Sequence, residues 1–280
     1  MSLTAGLSFK PQHLEEVLSA RDPGLWFEVH AENYMVDGGP RLAALTAVRE
    51  RRAISIHAVG LSLASADPPG EDYLDRLERL VRRFEPLAVS DHLAWQKHDG
   101  VHHADFLPFP RTRAALTRVA ENVDRVQTRL GRPILVENPS LYVDLPGHEM
   151  SEADFLSDLS SRTGCGLLVD VNNLFVSAAN LRFRAEEAVD AIPAEAIGEI
   201  HLAGHAPDAE GELLIDTHDR PVCEPVWALW RRLVDRIGPR PTLIERDGDV
   251  PAFATLMAER HRAHLALRSR ERAAPETDHV

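Results

Sequence analysis

Eight short apolar runs, separated by stretches of helical periodicity, constrain this chain more than any other feature. They lie around residues 6–9, 26–30, 54–59, 87–90, 134–136, 167–171, 197–202 and 242–244. Continuous apolar runs, in place of strict alternation, suit strands buried on both faces. Between most of them apolar residues recur at helical spacing. Leu74, Leu77, Leu80, Val81 and Phe84 form one stripe within 72–84, with arginines and glutamates opposite. Residues 113–130 are similar, and Val226, Leu229, Trp230 and Leu233 follow Pro225 as another stripe. Ser151 with Asp154 reads as a capping box opening a helix that contains Phe155, Leu156 and Leu159. The alternation predicts a (β/α)8 TIM barrel over residues 1–268, in preference to an open doubly wound sheet. Such barrels reach 280 residues as one domain. The polar segment 269–280, which contains Pro275, is expected to be a flexible tail.

Several function classes drop out early. No GxGxxG follows the first run and no GxxxxGK[ST] is present, so dinucleotide and P-loop chemistry lack support. The balance of 31 basic against 44 acidic residues gives a net charge of −13, which disfavours nucleic acid and anionic membranes as partners. No run of 18 apolar residues occurs, and the N-terminus lacks a basic region leading into an apolar one. A cytoplasmic protein is the expectation. The two cysteines, Cys165 and Cys223, are too few for a disulfide framework or a zinc ribbon. Cys165 is expected to be a small buried side chain, and Cys223 is assigned no role.

Polar chemistry gathers at one end of the apolar runs. His57 stands in ISIHAVG, His92 in LAVSDHLAW, Glu137 in ILVENP and Asp170 in LLVDVNN; His201 is in IGEIHLAGH, Asp216 and His218 in LLIDTHD, and Glu245 in TLIERD. In a barrel all eight converge on the C-terminal mouth, where catalytic groups of this fold sit. Imidazoles with carboxylates suit zinc, iron or manganese. Four carboxylates in one mouth repel each other unless cations neutralise them, which argues for more than one ion. Singly, each residue has an ordinary reading: a strand-end His held by a hydrogen bond, Glu245 paired with Arg246, Asp216 and His218 shaping a turn. Eight such coincidences at the same end favour a functional cluster. Around it, Glu32, Asn33 and Tyr34 face substrate or fix their loop, Asp91 orients His92, and His205 supports His201 or contacts substrate. His30 reads as structural or supporting. His102 and His103 fall in a polar loop, and Trp227 and Trp230 in a core stripe.

The stretches FEVHAENYM (27–35), SDHLAW (90–95), VENPSLY (136–142), DVNNLFVSA (170–178), IHLAGH (200–205), DTHD (216–219) and IERD (244–247) resemble the DUF692 family. Its members are multinuclear non-heme iron-dependent oxidative enzymes. The likeness runs from about Gly6 to His264, and it is similar in look to the branch that matures bufferin-type, copper-binding peptides. The resemblance implies a xylose-isomerase-like TIM barrel holding two or three irons, mixed-valent Fe(II)/Fe(III), with O2 as cosubstrate. It implies a Cys-containing, ribosomally made precursor peptide whose cysteines become oxazolone–thioamide or thiooxazole-type groups. A small leader-binding partner protein is implied too. Carried over residue by residue, His57, His92 and Glu137 hold one metal. Glu137 bridges to a second with Asp170, His201 and Glu245. Asp216 and His218 hold a third, completed by Asn173, where three-metal AP endonucleases of this fold typically carry His.

Two other readings stay open from the residues alone. One is a divalent-metal hydrolase or isomerase on the same barrel, AP-endonuclease-like or sugar-isomerase-like. The net charge speaks against a DNA substrate, and only Lys10 and Lys97 could serve as an isomerase lysine. The other is a non-catalytic metal- or peptide-binding protein.

Overall fold

All eight predicted strands form, each within two residues of its apolar run: β1 (Ala5–Ser8), β2 (Phe27–His30), β3 (Ile54–His57), β4 (Val89–His92), β5 (Leu135–Glu137), β6 (Gly166–Asp170), β7 (Ile197–Leu202) and β8 (Thr242–Ile244). The computed structural model describes residues 3–273. Every strand pairs in parallel with its neighbours in sequence, and β8 closes on β1 through Gly6↔Leu243 and Leu7↔Ile244. The result is the expected TIM barrel. Strand β4 begins at Val89, two residues later than its apolar run suggests. Leu87 is half exposed, and the Arg132 guanidinium takes the carbonyls of Pro86 (2.7 Å) and Leu87 (2.6 Å). The Leu87 amide still bonds Ile54 O at 2.8 Å, and the strand proper carries on from Val89 to His92.

Helices coat the barrel: α1 (Leu14–Ser19), α2 (Pro40–Arg49), α3 (Glu71–Phe84), α4 (Arg113–Leu130), α5 (Glu152–Thr163), α6 (Val171–Leu181), α7 (Ala185–Ala191), α8 (Glu224–Ile237) and α9 (Phe253–Ala273). The stripe of α3 is fully buried, as its spacing requires. Each such leucine contributes about 1.5–3 kcal/mol relative to exposure. Ser151 caps α5: its Oγ accepts from the Asp154 amide at 3.1 Å and donates to the Asp154 carboxylate at 2.7 Å. Trp227 and Trp230 are core residues packed edge to face, and the Trp230 indole donates to Thr242 Oγ1 at 3.2 Å. Cys165 is buried, as expected.

Two expectations need correction. The polar loop holding His102 and His103 is a β-hairpin, Trp95–His98 against Val101–Leu107. Asp99 and Gly100 turn it with φ of 47° and 76°, the left-handed pair that an Asp-Gly hairpin turn needs. The tail does not start at Ser269, because α9 runs on to Ala273. Arg270 Nε, on its last turns, donates to Asp235 Oδ1 of α8 at 2.7 Å. The rest of the expected tail, 274–280, lies outside the described residues. Among the described residues no helix is long and apolar enough to cross a membrane.

Candidate metal centre

Successive strand residues point to opposite faces, so the barrel interior collects every second residue. Register aligns the last inward position of each strand: His30 with His57, His92 with Glu137, and Asp170 with His201. Glu245 follows β8 directly. These side chains form one tier at the C-terminal mouth. Asp216 and His218 reach it from the segment after a small hairpin, Ala206–Pro207 with Leu214–Ile215. His218 has φ of 49°, a left-handed conformation uncommon for a side-chain-bearing residue. Its amide donates to Gly204 O (3.0 Å), and its carbonyl accepts from the Asp247 amide (2.8 Å). Gly204 also lets the backbone that follows pack against it, since a Cβ there would lie 2.2 Å from Arg220 O.

Within the tier, Glu137 Oε2 lies 3.3 Å from Nε2 of both His57 and His92. His201 Nδ1 is 3.0 Å from Glu245 Oε2 and 3.9 Å from Glu137 Oε1. Three sets of ligand atoms, each within 4.8 Å of one another, share members: His57, His92, Glu137; then Glu137, Asp170, His201; then Asp170, His218, Glu245. Glu137 joins the first two sets, and Asp170 the last two. Asp216 stands at the edge of the third. Its Oδ1 is 2.7 Å from His218 Nε2 and accepts from Asn172 Nδ2 at 2.6 Å. Asn173 donates its side-chain amide to Asn138 O at 3.0 Å, which leaves its Oδ1 buried without a partner.

The electrostatics show the strain of this crowding. Burial, then the Asp170 and Glu245 charges, push the Glu137 carboxyl well above the usual range against the pull of His201. Burial and Asp216 push Asp170 up to about 7. Burial and His92 hold His57 well below the normal imidazole value, and burial takes His92 down to about 3, so both rings are neutral. His201 and His218 go the other way: burial opposes their charge, but Glu28 and Asp216 respectively raise them well above it. Glu137 Oε2, Asp170 Oδ2 and His92 Nδ1 are buried with no hydrogen-bond partner. Leaving such atoms unsatisfied is costly. Cations among these oxygens and neutral nitrogens would satisfy them, so the residues fit a centre of more than one divalent ion.

The remaining expected residues separate into loop fixers and cavity walls. Glu32 Oε1 accepts from the Tyr73 hydroxyl and from the Val59 amide (2.9 Å), which ties down its loop. Asn33 accepts from Arg41 at 3.3 Å. Tyr34 is buried, and burial pushes its phenol up to about 12. Asn33, Tyr34 and His30 share a small cavity beside the mouth. Asp91 accepts the amides of Leu61 (2.8 Å) and His92 (2.6 Å), so it braces backbone more than the His92 ring, 3.8 Å away. His205 turns from His201 and, at 2.7 Å, its Nδ1 donates to Asn172 Oδ1. The hydrogen bonds His205–Asn172–Asp216 thus steady the carboxylate that faces His218.

Sequence reasoning missed three carboxylates. Asp247 Oδ2 is 3.5 Å from His218 Nδ1, and Asp247 groups with His30 and Glu245. Glu28 and Glu199 lie beneath His201, 3.3 and 3.4 Å from its Nε2. Their signal was available: each stands two residues before a mouth histidine, hence on the same strand face. The hairpin correction also matters here, because Phe106 stacks on His92 with centroids 3.7 Å apart and planes 22° apart. The open mouth is a cavity of about 190 Å³ lined by His57, His92, Phe106, Tyr142, Asp216 and His218, among others.

Fold and site together define a TIM barrel with a buried carboxylate–imidazole cluster at the C-terminal mouth of its strands. Solved structures agree on the fold. A xylose isomerase domain protein from Alicyclobacillus acidocaldarius superposes with TM-score 0.62 at 14% identity, over 97% of this chain and all of that one. A D-psicose 3-epimerase crystallised with D-fructose gives 0.58 at 13% identity, over 95% and 98%. The chain belongs to the family described as RiPP precursor modification enzyme MbnB/TglH/ChrH, whose match spans residues 4–268. A UPF0276 protein of Caulobacter sp. (strain K31) is 64% identical over 95% of this chain and 97% of its own length. One from Bordetella bronchiseptica is 49% identical over 94% and 92%. The family resemblance drawn from the motifs is borne out. This chain is an enzyme of the kind that modifies a ribosomally made precursor peptide.

Proposed function

We propose that this enzyme uses iron and O2 to oxidise cysteines of its precursor peptide to thiooxazole or oxazolone–thioamide groups, as in maturation of bufferin-type peptides. The observation that carries the reading is the sharing of Glu137 and Asp170 among three ligand sets, because shared carboxylates are how adjacent cations are bridged. His57, His92 and Glu137 would hold one iron, and Glu137, Asp170, His201 and Glu245 a second. A third would lie at His218 with Asp170, Glu245 and Asp216, beside the unpartnered Asn173 Oδ1. Bound iron supplies redox chemistry that zinc lacks.

The chain's own residues do the rest. Neutral His57 and His92 offer lone pairs without first losing a proton. Phe106 covers His92 and keeps water from that side. A mouth of about 190 Å³ admits one side chain and not a folded partner, which suits a cysteine presented on an extended peptide. A small partner protein that holds the peptide's leader fits the same arrangement, and the cytoplasm is the compartment proposed for the reaction.

The test is turnover of a Cys-containing precursor peptide, followed by mass spectrometry. Enzyme carrying two to three irons is expected to change the mass of the cysteine-bearing fragment only when O2 is present. Full-rate modification by a zinc-only preparation would sink the proposal.

A further inference from the structure

One step below the mouth tier, the barrel interior departs from its usual filling. Bulky branched side chains normally occupy such layers. Here Glu28, Ser55, Ser90 and Glu199 point inward, two residues before His30, His57, His92 and His201. Both glutamates are at least 97% buried. A carboxylate so far from water is costly unless something holds it. Glu28 Oε2 accepts from Ser55 Oγ at 2.7 Å, and Glu28 Oε1 faces His201 Nε2 at 3.3 Å. Glu199 Oε1 faces the same nitrogen at 3.4 Å, and neither oxygen takes it in a linear hydrogen bond. Two buried carboxyl groups therefore bracket one ring nitrogen, while the other, Nδ1, hydrogen-bonds Glu245 Oε2 at 3.0 Å and lies 3.9 Å from Glu137 Oε1, the contact a bound cation would replace. His57 repeats the pattern in weaker form, with Nδ1 2.8 Å from Ser90 Oγ below and Nε2 facing Glu137.

We infer that Glu28 and Glu199 are positioning residues that keep the His201 proton on Nε2 and so present the Nδ1 lone pair to the metal centre. A neutral imidazole carries one N–H, and the acceptor it meets decides which nitrogen is free to bind metal. Partners of this sort fix ring orientation and ligand basicity, and their loss typically weakens metal affinity by about 10–100-fold. The inference rests on the metal centre proposed above, but not on iron, O2 or cysteine chemistry.

The experiment uses the full chain loaded with diamagnetic zinc and labelled with 15N-histidine, so that its outcome is separate from turnover. His201 is assigned by comparison with His201→Gln, and its tautomer is read from two-bond 1H–15N spectra. A protonated Nε2 with zinc on Nδ1 is expected. Protonation of Nδ1, or metal on Nε2 between the two glutamates, overturns the inference. Zinc affinity by chelator competition gives the second readout. The paired Glu28→Met and Glu199→Met variant is expected to bind about 10–100-fold more weakly, with the metal-free Tm unchanged or raised. Glu28→Gln with Glu199→Gln keeps an acceptor and should recover most of that loss. Equal affinity in the Met pair, or no recovery in the Gln pair, overturns the inference. If the Met pair does not fold, the tautomer of the unmodified chain decides.

Discussion

On the outer face of α3, Arg82 reaches Glu78 at 2.6 Å with 79% of its side chain in water. Inside the barrel, Glu137 is 1% exposed and lies 3.3 Å from two imidazoles without a hydrogen bond to either through Oε2. The first pair is an i,i+4 surface contact of small energetic consequence. The second arrangement costs folding free energy in the metal-free chain and has no architectural need, since apolar side chains fill other barrels. Charge on the helical shell serves solubility, whereas charge in the interior serves chemistry. The contrast also explains why apolar contacts in the shell must be strong enough to tolerate the mouth.

Glu137 breaks the comparison most sharply. Glu137→Gln should remove the shared ligand of two metal sets, abolish peptide modification and lower bound metal by at least one ion per chain in mass spectrometric metal analysis. The metal-free protein should keep or raise its Tm, because a buried carboxyl crowded by other carboxylates is replaced by an amide of similar shape that cannot ionise. Loss of Tm with metal content intact would contradict the separation of roles. Leu77, fully buried on α3, should behave in the opposite way. Leu77→Ala is expected to cost about 2–5 kcal/mol in chemical denaturation, with metal per folded chain unchanged.

A pH series tests the interior more finely. Asp170 and Glu199 are raised by burial to about 7 and about 8, and His201 and His218 are raised above their normal value. In the folded chain these groups hold protons that the unfolded chain has released. Above neutral pH, stability therefore falls as pH rises through their folded values. The depressed rings of His57 and His92 act with the opposite sign, but only below the normal imidazole value. Metal-free protein should unfold at a lower temperature at pH 8.5 than at pH 7, and divalent metal should remove the difference, since its ligands bind deprotonated. A Tm that rises over this interval would contradict the assignment. The smallest effect belongs to the shell. Asp190→Asn removes the exposed Arg232 pair, 2.7 Å between Arg232 Nε and Asp190 Oδ1, and should leave both Tm and metal content unchanged.

Much of this was legible in the chain. Eight apolar runs imply eight strands because a strand covered on both faces needs apolar residues on both. A polar residue at each run's end then falls at one mouth by parallel topology alone. His57, His92, Glu137, Asp170, His201 and Glu245 followed from that rule. Glu28 and Glu199 were legible by the same rule, two residues before His30 and His201 and so on the same strand face, but a glutamate among apolar residues is easily read as outward-facing. Asp99–Gly100 was a hairpin signal within a stretch too polar to look like strand.

The sequence by itself determined the strand count, the helical stripes, the family and the residues gathered at the mouth, because periodicity and motif order are local properties. Only the tertiary structure decided which carboxylate is shared, that Asp216 stands at the edge of its set, that Phe106 covers His92 and that two glutamates bracket His201. Those relations depend on register between strands far apart in the chain, where a shift of one residue would turn every inward side chain outward.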